Sequence, residues 1–122
     1  MSHTVEIATE VRDEEAVRLA CQRLQLKPPM RGNIKLFSET VTGLAVHLPE
    51  WAYPAVFNTD TGQVQYDNFN GKWGDKSRLD SFLQAYAVEK AKLEARRKGY
   101  SVFEQTLANG SIKLTVQVGG EV

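Results

Sequence analysis

The sequence predicts an α+β fold: a two-layer sandwich with a mainly antiparallel sheet and two helices on one face. Three observations carry this expectation. Apolar residues alternate with polar ones in several short runs, the period of a strand with one wet side. Two longer stretches switch to a helical period. The runs between the helices are joined by short turn-rich segments, which suit antiparallel neighbours rather than parallel crossovers. The 122 residues are expected to form one domain, since such a chain can bury roughly two-thirds of its unfolded surface.

The chain opens with HTVEIATEV, where Val5, Ile7, Thr9 and Val11 share one face and Glu6 and Glu10 point the other way. Asp13 is placed to cap a first helix, with Glu14 and Glu15 at its positive end. Val17, Ala20, Cys21 and Leu24 then form one narrow apolar stripe, and Pro28-Pro29 is the expected stop. Two strands follow at 34–37 and 44–48, the second with Leu44, Val46 and Leu48 opposed to Ala45 and His47, closed by Pro49. AVFNTDTGQVQY reads as a hairpin around Asn58-Thr59-Asp60-Thr61-Gly62.

The next stretch, YDNFNGKWGD, is too rich in Asn and Gly for regular structure and serves as the turn into a second helix. Ser77 with Asp80 suggests a capping box for that helix. Leu79, Phe82, Leu83, Tyr86 and Leu93 form its apolar face, Arg96-Arg97-Lys98 its basic last turn, and Gly99 its left-handed terminus. A final hairpin turns at Asn109-Gly110 with left-handed backbone angles expected there, and Ile112, Leu114, Val116 and Val118 give it an apolar face.

Composition narrows the function. Lys plus Arg and Asp plus Glu number 15 each, so no net field recruits nucleic acid or an anionic membrane. A lone cysteine, no apolar leader and no membrane-length apolar run place the expected protein in the cytoplasm. Neither a phosphate loop nor a dinucleotide fingerprint occurs. Asn58-x-Asp60-x-Gly62 lacks the glycine placement and the bidentate Glu of a calcium loop and reads as a turn. His3 and His47 stand far apart, and one Cys supplies no zinc set. Cys21 lies on the apolar stripe, as an inert core thiol does. The expectation is therefore a protein without catalysis, metal or cofactor.

Two features remain as candidate sites. Trp51, Tyr53, Phe57, Tyr66, Phe69 and Trp73 crowd one stretch of the chain. Phe57 and Trp73 read as core, while Trp51, Tyr53, Tyr66 and Phe69 are the candidates for a partner-binding surface, where Trp and Tyr are favoured anchors. Stacking on single-stranded nucleic acid would need interleaved basic residues, and only Lys72 is present. The second feature is Lys90, which continues the Tyr86 stripe. It either snorkels with its stem packed, or lies in a gap between helix and sheet, paired with a carboxylate or, beside Tyr86, with an anionic ligand.

Several positions together resemble the hypothetical chloroplast reading frame 35 family, a domain of unknown function found in cyanobacteria, plastid genomes and other bacteria. They are Met1-Ser2-His3, Ile7, Thr9 and Arg12-Asp13, then Tyr86-Ala87, Gly99 and Gly110-Ser111-Ile112. The segment EWAYPAVFNTDTG departs from the family pattern. The resemblance implies no reaction and no catalytic residues; the family's association with ATPase-containing gene sets implies an accessory role beside such a partner. The residues and the resemblance together predict a non-catalytic interaction module with a protein partner. The alternative is a small anionic-ligand binder using Tyr86 and Lys90.

Overall fold

In the computed structural model, which describes residues 4–118, the elements run β1 (Val5–Ala8), α1 (Glu14–Arg23), β2 (Met30–Lys35), β3 (Thr40–Val46), β4 (Ala55–Asn58) and β5 (Gln63–Tyr66). A single 3-10 turn (Phe69–Gly71), α2 (Lys76–Arg97), β6 (Ser101–Thr106) and β7 (Ile112–Gln117) complete the chain. β1 to β5 form one antiparallel sheet in the order β1-β5-β4-β3-β2. The fold is α+β, mostly sheet.

Both helices cover the same face of that sheet. Ala16, Val17, Ala20 and Cys21 of α1 and Leu79, Phe82, Ala85 and Tyr86 of α2 share one buried cluster with Leu44, Val46, Ala55, Phe57, Val64 and Tyr66. Phe57 and Phe82 meet at its centre with ring centroids 5.4 Å apart. The opposite face has its own small cluster, Leu36, Val41 and Val56, flanked by Ile34 and Tyr53. Ala45 is therefore buried rather than solvated, because the sheet is covered on both faces at this point.

The helix ends differ from the sequence expectation in instructive ways. Asp13 does cap α1, its carboxylate accepting from the N–H groups of Glu15 and Ala16. The helix ends at Arg23, however, five residues before Pro28. Leu26 N–H donates to the Cys21 carbonyl (2.8 Å) and Gln25 N–H to the Gln22 carbonyl (3.1 Å), a Schellman motif with Gln25 at φ 60°. The buried stripe is Ala16, Val17, Ala20 and Cys21, while Leu24 sits beyond the last turn, half exposed. α2 starts earlier than expected: Asp75, not Ser77, is the cap, and it accepts from Ser77 N–H, while Asp80 pairs instead with Lys76. Gly99 takes the left-handed position in the same Schellman pattern.

A left-handed glutamine costs about 1 kcal/mol or more relative to glycine. Gln25→Gly is therefore expected to stabilise the protein by about 0.5–1 kcal/mol, the saving reduced by glycine's greater unfolded-state entropy. A raised denaturant midpoint at unchanged m-value would show it; no gain would mean that the Gln25 side chain contributes more than its backbone costs.

β2 begins at Met30 and β3 at Thr40, both earlier than the expected 34 and 44, because exposed polar positions such as Arg31 and Thr42 sit in the ladder. The last hairpin does not join the main sheet. β6 and β7 pair only with each other and pack on α2, where Gln84, Lys92 and, from α1, Arg23 reach them. Helical geometry turns Val88, Lys92 and Ala95 away from Phe82 and Tyr86, so α2 is covered on two sides. The turn is also wider than expected. Gly110 N–H donates to the Leu107 carbonyl and Leu107 N–H to the Ser111 carbonyl, a type I turn with a glycine bulge. Only Gly110 of the Asn109-Gly110 pair is left-handed (φ 88°).

Candidate functional site

The segment from Asp67 to Asp75 carries three consecutive residues with positive φ. Phe69, Asn70 and Gly71 lie in succession at φ 48°, 54° and 93°. Asn tolerates that region and Gly is free in it, but for a bulky Phe it is a true outlier. Buried Asn68 holds the loop closed. Its carbonyl accepts from the N–H groups of Gly71 (3.0 Å) and Trp73 (2.9 Å), and its side-chain amide donates to the Gly74 carbonyl (3.1 Å). Asp67 accepts from Phe69 N–H through one carboxylate oxygen (3.1 Å); the other is buried with no hydrogen-bond partner among the described residues. Backbone strain of this kind is a cost that persists only where the surroundings impose it.

The product of this backbone is a row of aromatic rings. Phe69 lies 4.7 Å from Trp73, with the Lys72 ammonium 5.0 Å from the Phe69 centroid. Trp73 in turn lies 5.1 Å from Phe37 and 5.8 Å from Tyr53, and Phe37 meets Tyr53 edge-on at 6.4 Å. Through Tyr53 the row is continuous with the Leu36, Val41 and Val56 cluster on the helix-free face. Tyr53, Phe69 and Trp73 are half-buried, and Phe37 is 53 % exposed.

The expected partner-binding residues thus separate onto two sides of the sheet. Tyr53 and Phe69 stand in the row. Trp51 and Tyr66 do not. Tyr66 is only 5 % exposed, in the helix-side core, with Trp51 over it at 5.4 Å. The Trp51 indole N–H donates to the Asp75 carbonyl (3.0 Å), and its ring rests so closely on Gly74 that a Cβ there would come within 2.5 Å of it. Trp51 therefore closes the core, and Tyr66 is corrected from surface candidate to core residue. An extended segment would set Trp51 and Tyr53, two residues apart, on one face; the bend at Ala52 and Tyr53 that leads into β4 breaks that alternation and sends them to different sides. Trp73, expected in the core, is half-buried at the centre of the row instead. Phe37 was not singled out in the sequence; its place just past β2, beside apolar Leu36, is the signal that marks it.

Tyr86 and Lys90 are engaged within the fold. The Tyr86 hydroxyl accepts from the N–H groups of Arg12 (3.2 Å) and Asp13 (3.1 Å), pinning the β1–α1 junction to α2. The Lys90 ammonium donates to Asp13 (3.1 Å) and Glu94 (2.8 Å), and Arg97 donates to the same two carboxylates. Hydrogen bonds from Glu94 and then Asp13 raise the Lys90 pKa. Lys90 is thus paired with carboxylates, one of the arrangements the sequence allowed for it, and with Arg97 forms a clasp between α2 and the start of α1. Cys21 is buried, and burial pushes its thiol up to about 11, far from nucleophilic at neutral pH. Asn58 accepts from the N–H groups of Asp60 and Thr61, the geometry of a turn. His47 is exposed, and His3 lies outside the described residues. Among the described residues no group of three or more His, Cys, Asp or Glu is placed to hold a metal ion, and no helix is long and apolar enough to cross a membrane.

Compared with family models, curated proteins and solved structures, the chain finds no match.

Proposed function

We propose that this protein is a non-catalytic interaction module, an accessory subunit of the cytoplasm, whose contact surface is the row Phe69, Trp73, Phe37 and Tyr53. The observation that carries this reading is Phe69, held at φ 48° so that its ring lies on Trp73 with Lys72 beside it. Rigid aromatics contribute large contact area at small entropic cost, and Trp and Tyr dominate interface hot spots. Backbone strain concentrated at the row supports a role beyond packing. The resemblance to the chloroplast reading frame 35 family directs the search for a partner to ATPase-containing systems.

Affinity capture with Phe37→Ser and Phe69→Gly, beside wild type and an exposed control, His47→Ala, tests it. Phe69→Gly relieves the left-handed strain while losing ring contacts of about 0.5–1.5 kcal/mol, so its melting temperature is expected to stay close to wild type. Phe37→Ser removes an exposed ring and is expected to fold normally. Both should lose the partner that wild type and His47→Ala retain. Equal capture by all four proteins would reject the aromatic row as the interface.

A further inference from the structure

We propose that this protein forms a two-fold dimer in which β7 pairs antiparallel with β7 of a second copy. β6 and β7 form a ribbon of only two strands, marginal on its own, and no other strand among the described residues pairs with either. The ribbon carries Phe103, Leu107, Val116 and Val118 among the exposed large apolar side chains, with Val118 68 % exposed. An unpaired strand edge of this kind is a template for another strand.

The turn geometry says which groups face outward. Leu107 and Ser111 form the hydrogen-bonded pair next to the turn, so pairing alternates from there along the ladder. Lys113, Thr115 and Gln117 direct their N–H and C=O groups to β6. Ile112, Leu114, Val116 and Val118 direct theirs to the open edge.

The two-fold register that pairs the whole run from Ile112 to Val118 with a second β7 is the one centred on Thr115. Leu114 then exchanges both hydrogen bonds with Val116 of the second copy, and Ile112 with Val118. All four residues lie on one face, giving an unbroken apolar row across the junction and covering the exposed valines. On the other face Thr115 meets Thr115 at a closely spaced, non-hydrogen-bonded position, and Lys113 meets Gln117. No like charges oppose, and Thr–Thr pairs are favourable. Self-complementarity of this kind is what an isologous interface requires. β6 lacks it: a two-fold on Glu104 sets two carboxylates opposite each other, and one on Phe103 sets Glu104 against Val102. Glu104 is moreover already held by Arg23 and Lys92. The net charge of zero adds no long-range repulsion between copies.

Light scattering and sedimentation over a dilution series are expected to give twice the 13.7 kDa chain mass, falling to one chain on dilution. Thr115 is exposed, so Thr115→Lys should fold with an unchanged circular dichroism spectrum yet remain at one chain mass, because two ammonium groups then face each other. Thr115→Cys should form a disulfide-linked dimer under mild oxidation, faster than Lys113→Cys, since buried Cys21 does not compete. Amide exchange at Leu114 and Val116 should slow as concentration rises. A single-chain mass at every concentration overturns the proposal. So does a dimer that survives Thr115→Lys, or cross-linking of Thr115→Cys no faster than Lys113→Cys; either would place the contact elsewhere.

Discussion

Gly62→Ala is expected to destabilise the protein by about 2–4 kcal/mol, adding left-handed strain to a steric clash. Gly62 closes the β4–β5 loop at φ 82°, its N–H donating to the Asn58 carbonyl (2.8 Å). Its own carbonyl accepts from Thr9 N–H (2.7 Å) and from the Thr9 hydroxyl, which ties the loop to the end of β1. A Cβ at this position would run into the Thr9 carbonyl oxygen and crowd the Arg12 guanidinium at 3.3 Å. Backbone cannot retreat as a side chain can, so the β1–loop junction must shift. Gly110 supplies the control. Its φ is 88°, but nothing lies within 4 Å of a Cβ added there. Gly110→Ala should therefore cost only the backbone strain, about 1 kcal/mol. Thermal or denaturant melts of the two variants measure the difference, and equal losses would show that the Gly62 clash is absorbed without cost.

Asp13→Ala is the second large expected loss, about 2–3 kcal/mol. One oxygen of Asp13 caps α1, worth about 1 kcal/mol, and the other accepts from Lys90 and Arg97 at 3.1 Å each. The side chain is 13 % exposed against 36 % for Lys90 and 51 % for Arg97, so screening at the cations reduces their part of the sum. Asp13→Asn separates the contributions: it keeps the cap and removes the charge, and should cost about half as much. Burial pushes the Asp13 carboxyl up, but hydrogen bonds from Lys90, Ala16 N–H and Arg97 outweigh it and hold the pKa below the ordinary value. A depressed carboxyl stabilises fully above its unfolded pKa, and the contribution disappears as pH falls through the folded one. Acid unfolding should therefore steepen below about pH 4. Glu104, held down to about 2 by Arg23 and then Lys92, acts in the same direction over a wider window, from its ordinary 4.5 down to about 2. In Asp13→Asn the slope between about pH 4 and 3 should become shallower, leaving the share that Glu104 supplies; an unchanged slope there would show that Asp13 is not among the groups being titrated.

Periodicity and punctuation were sufficient for much of the fold. The cap at Asp13, the β4–β5 hairpin, the α2 core face and the left-handed Gly99 all follow from rules that act within a few residues, where chemistry and spacing are both visible in the chain. The end of α1 did not follow, because nothing in its composition marks Gln25 as left-handed; the Leu26 and Gln25 bonds impose it. Lys90 was legible as a problem, a cation on an apolar stripe; one partner, Glu94, stands a helical turn further on, but the other, Asp13, lies across the fold. The aromatic segment was legible as a concentration of rings and not as a surface. Tyr53, Phe69, Trp73 and Phe37 became one row, and Trp51 and Tyr66 became core, only when the loop from Asp67 to Asp75 closed beneath them. By itself the sequence determined the antiparallel α+β class, the start of α1 and the positions of the turns, since each depends on backbone preference within a few residues; the cap of α2 fell on Asp75 and not Ser77. The tertiary structure alone decided which rings are exposed, which cation finds which carboxylate, and that the last hairpin packs on α2 instead of joining the sheet. Those outcomes depend on residues far apart in the chain, whose meeting no local pattern encodes.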